Sequence, residues 1–405
     1  MSSAAALLAL ALTVASASAG RLVGYYNANP NSFGVPDPAV TWAAQPYDTI
    51  ILGFLMNTPD GSCTSADPEH SLLSLGNLKD GSVAWGDCKG SWKVQNGAFF
   101  AAQQAQRGVK IMLAVGGGAG YYSQVWQAIG QDVDGFVARI RATITKIEAS
   151  NGFVVDGIDL DYEDNDALGY GPVTPQYDGV DLVVRLSKAL TALRGGGGGG
   201  GGSGQASGAL GGTGTPGRFL LSHAPQGMFL CSKKAIAACG DAACVVPGDG
   251  ASTPHCPCAA ACGAGTRAYI EIMARAGAGA IDFLNVQYYN TRHIGSVDFA
   301  VGELTALHEE GDVDTGALLF GKPSCLNVTS KSAGFVAKCA NYGYLEPSAA
   351  AAAVRAVVAA GVPLGGAMTW QLANEWAYFN GSFAMGNALK AALPPTSEAL
   401  MLVPE

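Results

Sequence analysis

The sequence predicts an α/β protein built as a single (β/α)8 TIM barrel, and three observations predict it. Eight short apolar and β-branched runs recur along the 405 residues. Helix-period segments fill several of the intervals between them, which is the pattern of parallel βα units. The residues best suited to chemistry gather at the C-terminal ends of these runs, where such barrels place their sites. A chain of this length often divides into two or three domains. One barrel suffices here, because runs fitting the same ring lie on both sides of the Gly-rich tract.

The strands are read in order from their composition. They are RLVGYYN at 21–27, TIILGFLM at 49–56, KIMLAV at 110–115 and FVVDGIDLDYE at 153–163. FLLSH at 219–223, IDFLNVQYY at 281–289, ALLF at 317–320 and LGGAMTW at 364–370 complete the eight. Between the third and fourth, residues 125–147 carry Val133, Phe136, Ile140, Ile144 and Ile147 at helical spacing. Residues 180–193 behave likewise, and 348–360 form an Ala-rich helix. Three stretches exceed ordinary connections: 57–100, a Gly-rich insertion at 195–217, and a Cys-rich insertion at 226–268. The unbroken glycines from Gly195 to Gly202 predict a flexible, solvated tract. The barrel is expected over 20–392, with 393–405 as a tail.

Residues 1–19 have an apolar stretch ending in Ala17-Ser18-Ala19 before Gly20, the form of a secretory signal peptide, although the start lacks Lys and Arg. At about 12 residues the stretch is short for a membrane span. An oxidising destination favours disulfides for the ten cysteines. Cys63 and Cys88 bracket one loop, and Cys325 and Cys339 another. Cys231, Cys239, Cys244, Cys256, Cys258 and Cys262 crowd into the Cys-rich insertion near His255. No paired CxxC spacing supports zinc there, and six cysteines leave 15 connectivities open. The sequons at Asn327 and Asn380 fit export. Lys and Arg number 23 against 32 Asp and Glu, a net charge of −9. That balance excludes nucleic acid as a partner, since binding phosphates needs clustered cations. A monomer that neither spans nor binds a membrane is expected.

The most informative segment is Asp156-Gly157-Ile158-Asp159-Leu160-Asp161-Tyr162-Glu163. Side chains two apart on a strand share a face, so Asp159, Asp161 and Glu163 form one acidic row and Asp156 points the other way. Inside a barrel, three close carboxylates cannot all ionise, so at least one is pushed toward its protonated form. Glu163, nearest the C-terminal end, is then a natural general acid. An EF-hand calcium loop would need Gly at loop position six, where Asp164 stands. On the sixth strand Asn285, Gln287 and Tyr289 also share one face, consistent with a polar lumen.

DGIDLDYE resembles the DxxDxDxE signature of glycoside hydrolase family 18, the chitinase family. Other strands agree in order. VGYYN resembles the family's first strand, whose aromatic lies near the sugar, here Tyr25 with Tyr26 beside it. Gly53-Phe54 resembles the small-residue–Phe pair of the second strand. Ala114-Val115-Gly116-Gly117 resembles SxGG on the third, with Ala in place of Ser. Ala224-Pro225-Gln226 and Gln287-Tyr288-Tyr289-Asn290 resemble plant-type (class III) chitinases at strands five and six. Ala367-Met368-Thr369-Trp370 resembles the eighth, with its sugar-stacking Trp. The likeness runs over 21–380.

The resemblance implies a retaining, substrate-assisted hydrolysis of β-1,4 N-acetylglucosamine chains, an exception to the two-carboxylate scheme. It implies that Glu163 protonates the leaving oxygen and Asp161 holds the acetamido N–H. Tyr289 would aim the acetamido oxygen, and Asp159 would share a proton with Asp161. Tyr25, Phe54, Gly117, Gln287, Asn290 and Trp370 would line the sugar site. No metal or organic cofactor is implied. An endo-β-N-acetylglucosaminidase acting on N-glycans has the same site chemistry, and a chitin-binding lectin would typically have lost the acid.

Overall fold

The computed structural model describes residues 20–27, 45–58, 73–79, 82–84, 96–117, 122–171, 174–194, 219–244, 256–289, 296–324, 343–379 and 381–394. The signal-like segment, the Gly-rich tract, His255, Cys63, Cys88, Cys325 and Cys339 lie outside them, as do both sequon asparagines.

Runs with apolar residues on both faces form strands buried on both faces, as a parallel barrel requires. β1 (Arg21–Asn27), β2 (Thr49–Thr58), β5 (Lys110–Gly116) and β6 (Gly157–Asp161) are the first four staves. β7 (Leu220–His223), β8 (Phe283–Gln287), β9 (Leu318–Pro323) and β10 (Gly366–Trp370) are the rest. Neighbours pair in parallel around the order β1-β10-β9-β8-β7-β6-β5-β2, and β1 pairs with β2 to close the ring. All eight strands read from the sequence are present within a few residues. The 57–100 stretch adds β3 (Leu73–Lys79), which extends β2 in parallel past its last β1 partner, and β4 (Ser82–Ala84), antiparallel to β3. LSLGNLK has too little β-branched content to announce a strand.

Helices α1 (Gly97–Arg107), α2 (Tyr122–Gln131), α3 (Val133–Asn151) and α4 (Gly179–Thr191) cover the first half. The helix expected over 125–147 is two. Asp132 leaves the helical region, and its carboxylate accepts from Gly135 N at 2.9 Å to cap α3. Phe136, Ile140, Ile144 and Ile147 then turn inward with no exposure, and each contributes about 2 kcal/mol of burial. Asp178 caps α4 in the same way. The second half carries α5 (Lys233–Cys239), α6 (Ala268–Ala276), α7 (Val297–Glu310) and α8 (Pro347–Ala359), then α9 (Leu372–Tyr378) and α10 (Ala384–Ala392). Pro347 sits in the first turn of α8, where its missing N–H costs nothing. No described helix is long and apolar enough to cross a membrane.

The Cys-rich insertion is held by three disulfides, Cys231–Cys258, Cys239–Cys256 and Cys244–Cys262. It docks on the loop that follows β6. Gly171 N donates to Cys262 O at 3.0 Å, Gly265 N to Gly169 O at 3.0 Å, and Tyr170 Oη to Pro257 O at 2.9 Å. The insertion therefore stands at the C-terminal mouth, against the loop that follows Glu163, where a connection following a barrel strand belongs.

Candidate active site

Register places the chemistry. On β6, Asp159 faces Ala114 of β5 on one side and Ser222 of β7 on the other, and Asp161 pairs with Gly116. Gly116 has φ +111°, and a Cβ there would stand 2.2 Å from Asp161 O. Gly117 follows at φ +98°, its N–H donating to Asp161 O at 2.8 Å, and a Cβ on it would lie 3.5 Å from the Phe54 ring. The two glycines let β5 pass close beneath the acids and leave the lumen open above them.

Asp159 and Asp161 are buried, at 0% and 4% exposure, while Glu163 just beyond the strand is half-buried. Tyr25 Oη donates to Asp159 Oδ2 at 2.7 Å, Ser222 Oγ to Oδ1 at 2.6 Å and Asn285 Nδ2 to Oδ1 at 3.1 Å. Gln287 Nε2 reaches Asp161 Oδ1 at 3.0 Å, Glu163 Oε1 at 3.0 Å and Ala224 O at 2.8 Å. Asp161 and Glu163 are thus joined through one shared amide donor. Carboxyls this close in a buried row do not all ionise freely, so at least one is driven toward its protonated form.

Burial drives every acid of the row upward. Asp159 is pushed up to about 6, its three donors limiting the rise. Asp161 is raised well above the carboxylate range, first by burial and then by the charges of Glu163 and Asp159. Glu163 is raised by burial, against hydrogen bonds from Gln287 and Gln226. Tyr289, 6% exposed, is held as the neutral phenol by burial and by the field of the three acids. An aromatic wall stands alongside. The Trp370 ring lies 5.5 Å from Tyr25 and 5.5 Å from Phe54, and Trp370 keeps some exposure. The arrangement offers a partly exposed carboxyl, buried carboxyl neighbours and a flat aromatic face at one end of the barrel.

The residues singled out in the sequence, Glu163, Asp161, Asp159, Tyr289, Tyr25, Phe54, Gly117, Gln287 and Trp370, are all at the same end of the barrel. Asn290 lies outside the described residues. Asp156, of opposite parity, binds Lys110 at 2.9 Å and accepts from Ile111 N and Gln104 below the row. Three more polar residues complete the site: Ser222, and Asn285 and Gln226, for which the sequence alone implied no site role. Ser222 and Asn285 surround Asp159, and Gln226 reaches Glu163 while bridging the backbone of Gln287. Asn285 was legible from its parity with Gln287, whereas Ser222 is a lone hydroxyl in FLLSH. No group of His, Cys, Asp or Glu among the described residues is arranged to hold a metal.

The sequence profile of Glycosyl hydrolases family 18 matches residues 21–196, from β1 through the acidic row to the end of α4. Over that N-terminal part the chain is similar to glycoside hydrolase family 18. Comparison with curated proteins returns no match. Among solved structures, the chain resembles a family 18 chitinase from Pseudoalteromonas aurantia. Identity is 20%, coverage 92% of this chain and 100% of the other, and the TM-score 0.57. A family 18 chitinase from Chromobacterium violaceum aligns at 20% identity over 93% of this chain and 83% of the other, TM-score 0.51. A plant class V chitinase mutant from Cycas revoluta, solved in complex with (GlcNAc)3, aligns at 14% identity over 92% and 99%, TM-score 0.50. At these identities the likeness speaks for the barrel, which covers nearly the whole of the chain.

Proposed function

We propose that this chain is a secreted family 18 chitinase that cleaves β-1,4 N-acetylglucosamine linkages with retention, the substrate's own acetamido group acting as nucleophile. The observation that carries this reading is the position of Glu163. It is the one acid of the row that meets solvent, and it shares the Gln287 amide with buried Asp161 at the end of the barrel that also carries Trp370. Glu163 gives its proton to the leaving glycosidic oxygen. Asp161, as the carboxylate, accepts a hydrogen bond from the acetamido N–H and balances the positive charge of the oxazolinium ring. Tyr289, a neutral phenol, donates to the acetamido oxygen and aims it at C1. Glu163, now ionised, draws the proton from the water that opens the ring. The disulfide-bonded insertion and the (GlcNAc)3 held by the Cycas revoluta relative support an exported enzyme and a chitooligosaccharide substrate.

The test is turnover of chitotetraose and a fluorogenic chitobioside. Glu163→Gln is expected to lower kcat about 100-fold or more while KM changes little, because only the proton transfer is removed. Asp161→Ala is expected to be at least as damaging. Near-native rates in purified Glu163→Gln protein would remove the assignment. Cleavage of a high-mannose glycopeptide with chitotetraose untouched would move the substrate to the N-glycan core.

A further inference from the structure

Tyr289 lies past the end of β8, which closes at Gln287. The last ladder bond there runs from Tyr288 N to Gly321 O at 3.2 Å. In a parallel pair the next bond would run to Tyr288 O from the N–H two residues further along β9. That residue is Pro323, which has no N–H. The carbonyl leading into Tyr289 is thus denied its ladder partner by the sequence of the neighbouring strand. A buried carbonyl without a donor is costly. Lys322 supplies one, its Nζ donating to Tyr288 O at 2.7 Å. Register fixes which way this side chain leaves β9. Gln287 faces the lumen and is paired with Gly321, so Phe320 and Lys322 point outward, behind the barrel wall. Tyr288 points the same way, its ring stacked on that of Phe320 at 5.8 Å and 28°. Tyr289, the next residue, turns to the lumen, where burial and the charges of Asp161, Glu163 and Asp159 keep its phenol neutral.

We propose that Lys322 is a positioning residue, which from behind the barrel wall fixes the peptide between Tyr288 and Tyr289 and so sets where the Tyr289 hydroxyl stands relative to the acidic row. On the glycosidase reading above, on which this role rests, that hydroxyl aims the acetamido oxygen. A lysine is a demanding choice for the place. Lys322 is 0% exposed, its Nζ lies 5.4 Å from the Phe320 ring, and burial pushes the amine down to about 7. An apolar side chain would fill the space at less cost, but it could not reach the carbonyl with a donor. Charged or neutral, the amine keeps N–H groups to give, so the contact does not hang on its protonation. Lys322 touches no substrate from this position. Its influence passes through Tyr289 and falls on the acetamido attack rather than on the hold of the remaining sugars.

The experiment is a double-mutant cycle in the whole chain, Lys322→Met against Tyr289→Phe, read by chitobioside turnover. Lys322→Met is expected to lower kcat about 10-fold while KM moves less than about twofold. In the Tyr289→Phe background the same substitution should lower kcat by no more than about twofold, because the hydroxyl it positions is already gone. Fluorotyrosine labelling gives a second readout, the Tyr289 resonance being the one lost in Tyr289→Phe. That resonance should shift or broaden in Lys322→Met. Lys322→Arg, which keeps the charge and moves the donor, takes its place in both measurements if Lys322→Met does not fold. Equal kcat losses in the two backgrounds overturn the proposal, as does an unmoved Tyr289 resonance. A resonance that moves in a chain whose native form cleaves no chitobioside overturns the glycosidase reading and leaves the positioning standing.

Discussion

A methyl group at Gly116 would collide with the carbonyl that ends β6. The φ of +111° disfavours any side chain, and the 2.2 Å approach to Asp161 O admits none. Gly116→Ala is expected to cost at least about 2 kcal/mol in urea unfolding, strain and displacement acting together. Since the displaced backbone carries Asp161, chitobioside kcat should fall with it. A variant of native stability and native kcat would contradict this account of why β5 carries glycine beside the acids. At this scale much of the site was legible. Alternation alone put Asp159, Asp161 and Glu163 on one face and Asp156 on the other, because a strand's period of two leaves no alternative. Ser222 was not legible, because a single serine in an apolar strand reveals neither its neighbour across the sheet nor its role.

Among the elements, the Cys-rich insertion bears most on function, because it is bonded by backbone groups to the loop carrying Asp164 to Gly171. That loop has its own ties. Tyr177 Oη donates to Asp164 Oδ2 at 2.7 Å and meets Tyr162 Oη at 2.7 Å. Glu163 is thereby held between a barrel strand and a loop braced from outside. Replacing both Cys244 and Cys262 with Ser opens a bridge with 18 residues of separation and should cost about 3 kcal/mol. The expected signature is a lower Tm, together with a kcat loss exceeding any change in KM. Unchanged kcat would show that the loop holds its place unaided. The sequence separated disulfide from zinc by spacing and compartment, but not one pairing from another, since pairing depends on the folded path. It likewise merged α2 and α3, whose apolar spacing continues across the break while Asp132 turns the backbone.

The whole molecule carries further buried acids far from the row in sequence, Glu303 and Glu375. Glu375 on α9 is fully buried, accepts from Tyr47 Oη and accepts from Gly386 N at 2.9 Å, while Thr369 Oγ1 donates to Tyr47 Oη at 2.8 Å. Burial pushes Glu375 up to about 7 from the usual 4.5. Its contribution to stability is thus complete below about pH 4.5 and is lost as pH rises through 7, a change of about 3 kcal/mol. Asp159 and Glu303, raised to about 6 and about 7, act in the same sense. Buried His223, lowered to about 3, acts oppositely as pH falls below 6.5. The clean measurement is therefore a difference. Glu375→Gln should flatten the fall of Tm between pH 5 and 8 relative to the native chain, and an unchanged slope would assign the pH dependence elsewhere. The ring as a whole was readable because eight doubly buried strands leave eight continuous apolar runs. The β3–β4 hairpin, lacking that signal, was not.

β1 pairs with β2 along one side and with β10, which begins at Gly366, along the other. The stave synthesised first thus waits for the stave synthesised last. While the ribosome works through most of the chain, the sheet has two raw edges and no closed cavity. During that interval the polypeptide can still be threaded through a narrow pore. Once the final strand slots home, it no longer can.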